Sequence, residues 1–146
     1  MQPWALHEGA ARTLVRRLKY EGVGAVAGLA AEVLVERLPA NAMCLVPVPR
    51  AVTRRIRYGI DPAATLAAAV SIRSGLPVIH ALGPPLWNRP NAGSRRDRRV
   101  TPRLVRRGEA VGGVLVDDVV TTGRTLDEAA RIVGGVRHAL TVTGVP

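Results

Sequence analysis

A lone cysteine, Cys44, in a chain of 146 residues excludes an internal disulfide and any zinc site built from several cysteines. It sits in the apolar run Met43-Cys44-Leu45-Val46, which marks it as a core residue. Long apolar runs are missing as well. Although 47% of the residues are apolar, no uncharged stretch reaches the roughly 18 residues needed to cross a bilayer. A soluble protein without a membrane partner is expected. The opening Met1-Gln2-Pro3-Trp4 carries no basic segment followed by an apolar stretch, so no secretory signal is read and a cytoplasmic location is expected. Acids are scarce: 11 Asp and Glu stand against 21 Lys and Arg, leaving a net charge of +10. Polyanions are the natural partners, either nucleic acid or a small ligand carrying several phosphates. Part of the arginine surplus also reads as ordinary solvated surface.

What is present fits one domain over residues 1–146, long enough to bury its own core. Ala11, Leu14, Val15 and Leu18 recur at helical spacing with Arg12, Arg16 and Lys19 elsewhere, which predicts an amphipathic helix. Val26, Leu29, Ala30 and Val33 predict a second, ending near Leu38-Pro39. Met43 to Val48 is short and almost continuously apolar, as in a strand buried on both faces. Asp61 can cap a third helix with Pro62 at its first position, an inner face of Ala63, Leu66, Ala67 and Val70, and Gly75 as its close. Pro77 to Leu82 reads as a strand. From Gly83 to Gly108, prolines, glycines and arginines predict a long loop without regular elements. Val114 to Val116 is again a buried strand, Leu126, Ala129, Ala130 and Val133 line a helix ended by Gly134-Gly135, and Ala139 to Val142 makes the last strand. Strands alternating with helices predict an α/β fold with a central, mostly parallel sheet, helices on both faces and the ligand at the carboxyl edge of the strands.

The chemistry concentrates in Val114 to Leu126. An apolar strand runs into Asp117-Asp118, then Val119-Val120, then Thr121-Thr122-Gly123-Arg124-Thr125 at the start of a helix. Backbone N–H groups and hydroxyls at a helix N-terminus favour a phosphate monoester, and Gly123 allows close approach of the backbone. Adjacent carboxylates repel and want donors or a cation, for which vicinal ribose hydroxyls with Mg²⁺ nearby are suited. The plainer alternative is a strand-to-helix junction in which Thr122 or Asp118 caps the helix.

This stretch resembles the signature of type I phosphoribosyltransferases, which bind phosphoribosyl diphosphate (PRPP). Arg17-Leu18-Lys19-Tyr20-Glu21-Gly22, Leu45-Val46-Pro47-Val48-Pro49 and the arginine-rich turn Arg54 to Gly59 further resemble segments of the ComF family of amidophosphoribosyltransferase-like proteins. The resemblance implies a Rossmann-like phosphoribosyltransferase fold. It implies that Asp117 and Asp118 contact ribose hydroxyls, that Thr121, Thr122, Gly123 and Thr125, with Arg124 between them, form the 5-phosphate loop, and that Pro49, Arg50 and Ala51 form the diphosphate loop. Mg²⁺ would enter with PRPP, near Asp117 and Asp118, without a direct protein cage. It also implies either pentosyl transfer in nucleotide metabolism or a non-catalytic PRPP- or nucleotide-binding accessory role in competence or recombination, with nucleic acid or a recombination protein as partner. Two departures stand out. The family commonly begins with a zinc ribbon of cysteines, absent here, so a short or truncated form is expected. Ile60-Asp61-Pro62 also replaces the usual Phe-Asn-Gln.

Arg50, Arg54, Arg55 and Arg57 follow the first core strand and are placed to hold the diphosphate, Arg54 and Arg57 foremost. As a basic solvated loop they would need no ligand. Arg95, Arg96, Arg98 and Arg99 lie on the long loop, where they would close over substrate or meet nucleic acid. Gly22-x-Gly24 with Gly28 lacks the preceding strand of a dinucleotide site. His7, His80 and His138 have no ligand spacing, Trp4 and Trp87 read as anchors of a terminus and a loop, and no residue stands out as a general base.

Overall fold

The computed structural model describes residues 23–49, 61–84, 104–120 and 122–144. At its centre β1 (Cys44–Pro47), β4 (Gly113–Val120) and β5 (His138–Gly144) form a parallel sheet in the order β1-β4-β5. Val78 adds a single parallel bridge to Leu45 on the far side of β1, where Leu45 donates its N–H to Pro77 O and accepts at its own carbonyl from Ile79. The strands read as apolar runs because both faces are covered. Leu45, Val114, Val116 and Leu140 pack into one core cluster, while Val46, Leu115 and Ala139 pack into another. Helices α1 (Val23–Val35) and α2 (Pro62–Ser74) cover the first face. Helix α3 (Arg124–Val133) covers the second. The α/β class, the parallel sheet and the two helical layers agree with the sequence reading.

Helix α2 follows its punctuation. Asp61, in extended conformation, accepts from the Ala64 N–H at 3.5 Å, Pro62 takes the first helical position, and Ala63, Leu66, Ala67 and Val70 are buried. Gly75, at φ 75°, donates its N–H to Ser71 O at 2.8 Å and ends the helix in the left-handed conformation that glycine adopts without penalty.

Several expectations need correction. The buried stripe of α1 is Ala27, Ala30, Ala31 and Leu34, with Leu29 59% exposed, so the inner face is rotated from the predicted one. The helix is apolar nearly all round. The small side chains face inward, where they let it approach α2 closely. The Pro77–Leu82 segment is not a regular strand but the Val78 bridge followed by β2 (Leu82–Gly83). The long loop contains an element: β3 (Val105–Arg106) pairs antiparallel with β2, Leu82 opposite Arg106 and Gly83 opposite Val105. Strand β4 continues through Asp117 and Asp118 to Val120, because its ladder with β5 runs on from Val116–Leu140 to Val120–Gly144. At the start of β1, Met43 is 62% exposed, so the buried strand begins at Cys44. The predicted helix over Ala11 to Leu18 lies outside the described residues. Among the described residues no helix is long and apolar enough to cross a membrane.

Candidate functional site

Parallel strands deliver their carboxyl ends to one edge of the sheet, and among the described residues Pro49, Asp117 and Asp118 lie toward that edge. Val48 leaves β1 donating its N–H to Val116 O at 2.9 Å, which brings Pro49 beside the acid pair of β4. The next segment, with Arg50, Ala51, Arg54, Arg55 and Arg57, lies outside the described residues, as do Arg95, Arg96, Arg98, Arg99 and Thr121.

Asp117 and Asp118 are both buried, 9% and 2% exposed. Because the strand continues through them, their side chains alternate across the sheet. Asp117 shares the α3 face with Leu115, and Asp118 shares the face of α1 and α2 with Val116. Asp118 donates its backbone N–H to Asp117 Oδ1 at 2.8 Å. That bond fixes one oxygen of Asp117 against the backbone of its own strand. On the neighbouring strand the register partner of Asp117 is Thr141, wholly buried and on the same face.

Past the strand, Gly123 occupies the N-cap of α3 at φ 74°, ψ −11°, and among the described residues no side chain caps the helix. The alternative in which Thr122 or Asp118 serves as the cap is therefore not what the chain adopts. The first intrahelical bond runs from the Asp127 N–H to Gly123 O at 2.9 Å. The N–H groups ahead of it have no place in the helical ladder, and their partial positive charge faces outward. Thr122, Arg124 and Thr125 surround this end, Thr122 and Arg124 at the turn itself. Among the described residues, a Cβ built on Gly123 would meet no atom within 4 Å. A helix N-terminus of this kind favours an anion.

Other polar or titratable side chains serve the fold or lie away from this edge, Cys44 and His138 being the first residues of β1 and β5. Asp61, which stands where the resembling family has a polar amide, caps α2. Cys44 is buried, and desolvation raises its thiol pKa above the ordinary range. His80 and His138 are exposed. Among the described residues no group of three or more His, Cys, Asp or Glu is placed to hold a metal ion.

Sequence reasoning passed over Thr141 and the cations of the ribbon. Arg106 pairs with Glu109 at 3.3 Å, and Arg107 donates its backbone N–H to Ala81 O at 2.7 Å. The signal for Thr141 was a hydroxyl inside the apolar run Ala139 to Val142.

No family model matches the chain, and no curated protein does. Among solved structures it is similar to a purine phosphoribosyltransferase from Pyrococcus horikoshii Ot3, with 16% identity and a TM-score of 0.40 over 99% of this chain and 89% of that one. The α/β assignment itself stands on the sheet order and layering.

Proposed function

We propose that the chain binds PRPP with Mg²⁺ and transfers ribose 5-phosphate to a nitrogen nucleophile with release of diphosphate, as a short member of the ComF family of type I phosphoribosyltransferase-like proteins. One observation carries the reading: an uncapped helix N-terminus, entered through a left-handed glycine, directly follows a strand bearing two buried carboxylates. Within the matching sequence signature each part has a use. The 5-phosphate sits against the turn of Thr121 to Thr125, where dipole and backbone donors compensate its charge. Asp117 and Asp118 accept from the ribose hydroxyls, Asp117 on the face that α3 covers. Pro49 leads into the diphosphate loop, and Arg50, Arg54 and Arg57 supply bidentate contacts to a leaving group that gains charge.

Two hard carboxylates suit Mg²⁺ that arrives on the diphosphate and takes most of its ligands from substrate and water. Mg²⁺ supplies charge neutralisation of the departing diphosphate. In transfer, the bond between ribose C1 and the diphosphate oxygen breaks, the nitrogen lone pair forms the new bond to C1, the diphosphate carries away the electron pair, and the proton the nitrogen sheds passes to the diphosphate or to water. The protein's work is positioning and charge stabilisation of an oxocarbenium-like state.

Calorimetry with PRPP and Mg²⁺, paired with a diphosphate-release screen across bases and amines, tests this. Micromolar binding with turnover of one acceptor supports the enzyme. Binding without turnover of any acceptor moves the chain to a PRPP-sensing accessory role in DNA uptake or recombination. Absence of binding overturns both readings.

A further inference from the structure

Thr141 occupies a position that apolar packing alone does not explain. Its neighbours Ala139, Leu140 and Val142 are buried and apolar, and valine would fill the same volume without placing a hydroxyl in the core. Thr141 is 0% exposed, and no buried side-chain oxygen among the described residues lacks a partner, so the hydroxyl is committed to hydrogen bonding. Its place in the sheet is specific. Thr141 is the register partner of Asp117, on the adjacent strand and the same face, and adjacent strands run about 4.8 Å apart. Asp117 is already held from one side by the Asp118 N–H on Oδ1.

We propose that Thr141 is a positioning residue for Asp117: its buried hydroxyl, level with the carboxylate across the β4–β5 ladder, fixes the orientation in which Asp117 meets the ribose. The Asp118 N–H on Oδ1 does not by itself set the side-chain torsions of a carboxylate. A polar neighbour at the same level of the next strand restricts them, so less ordering remains to be done when a ligand arrives. The role in ligand binding rests on the reading of Asp117 as a ribose contact. The positioning itself does not.

The test uses the full chain with Thr141→Val, Thr141→Ser and both changes in an Asp117→Asn background. PRPP·Mg²⁺ affinity is read by calorimetry, and the Asp118 amide by NMR in the ligand-free protein. Thr141→Val keeps shape and folding while removing the hydroxyl; about a ten-fold weaker affinity and a displaced Asp118 amide signal are expected. Thr141→Ser should restore both to within about three-fold and near the parent position, and Thr141→Val should add nothing once Asp117 is Asn. An unmoved amide in Thr141→Val, or a serine variant as impaired as the valine one, overturns the proposal. A parent that binds no PRPP while its Asp118 amide still responds to Thr141→Val upholds the positioning and overturns the ribose reading alone.

Discussion

Asp118 gives its backbone N–H to Asp117 Oδ1 at 2.8 Å while its own side chain lies on the opposite face of the sheet. The two acids are thus adjacent in sequence and unequal in position. If both serve ribose, Asp117 meets the ligand from the side of the phosphate turn, and Asp118 reaches it from the other face. Asp117→Asn should weaken PRPP binding at least ten-fold and Asp118→Asn by less, each moving the thermal midpoint by about 4 °C or less. Calorimetry and thermal melts check this. Two variants that bind as the parent does would remove the ribose role.

Gly123 supplies a second prediction, in which backbone and ligand effects must be separated. At φ 74° valine would be strained by about 1–2 kcal/mol whatever the space around it, so weaker binding in Gly123→Val would also report strain. Asparagine tolerates the left-handed region. Gly123→Asn should fold with nearly the parent's stability, since its Cβ meets no described atom within 4 Å, yet lose most PRPP affinity if Gly123 is there to let a phosphate approach the backbone closely. Tight binding by that folded variant would empty the motif of its function.

The contrast between these two sites and their surroundings shows what the sequence made legible. Helix α2 was readable residue by residue because Asp61, Pro62 and Gly75 each act locally. Strand β1 was readable from its unbroken apolar run. Helix α1 was not, since an almost wholly apolar helix leaves its orientation to packing. Nor was the extent of β4, where a ladder with β5 outweighs the poor strand propensity of two aspartates. The β2–β3 ribbon is a long-range pairing of two residues with two, too short for any periodicity to announce.

The Asp61 cap gives a prediction about stability alone. Asp61→Ala should cost about 1 kcal/mol by leaving the Ala64 N–H unpaired, and Asp61→Asn should recover most of it. Urea denaturation would read both, and PRPP affinity should hardly change. A large loss of affinity without a loss of stability would give Asp61 a ligand role instead.

Burial fixes the sign of a pH effect at Cys44. Desolvation raises the folded thiol's pKa, so the folded state keeps its proton longer than the unfolded chain. The associated stability is fully present below the unfolded value of about 9.0 and is lost as pH rises toward the folded one. Comparing urea midpoints at neutral and alkaline pH, the parent should lose more stability than Cys44→Ala. Equal slopes would place the thiol in contact with solvent.

The arginines of the long segment between Gly83 and Val105 separate the small-ligand reading from a nucleic-acid one. Gly83 and Val105 pair at its base in the β2–β3 ribbon, which packs beside α3, the helix whose N-terminus forms the proposed phosphate turn. Changing Arg95, Arg96, Arg98 and Arg99 to Ser should therefore impair PRPP turnover while leaving weak binding to generic DNA nearly intact. If those arginines serve nucleic acid, the reverse holds. Every arginine–phosphate pairing removed would then flatten the dependence of log affinity on log salt by about 0.7 for single strands or 0.9 for duplex. A charge of +10 gives any variant some attraction to DNA, so the slope separates the readings better than the affinity at one salt concentration. A flattened slope with PRPP binding intact would assign these arginines to nucleic acid and leave the small ligand to the phosphate turn alone.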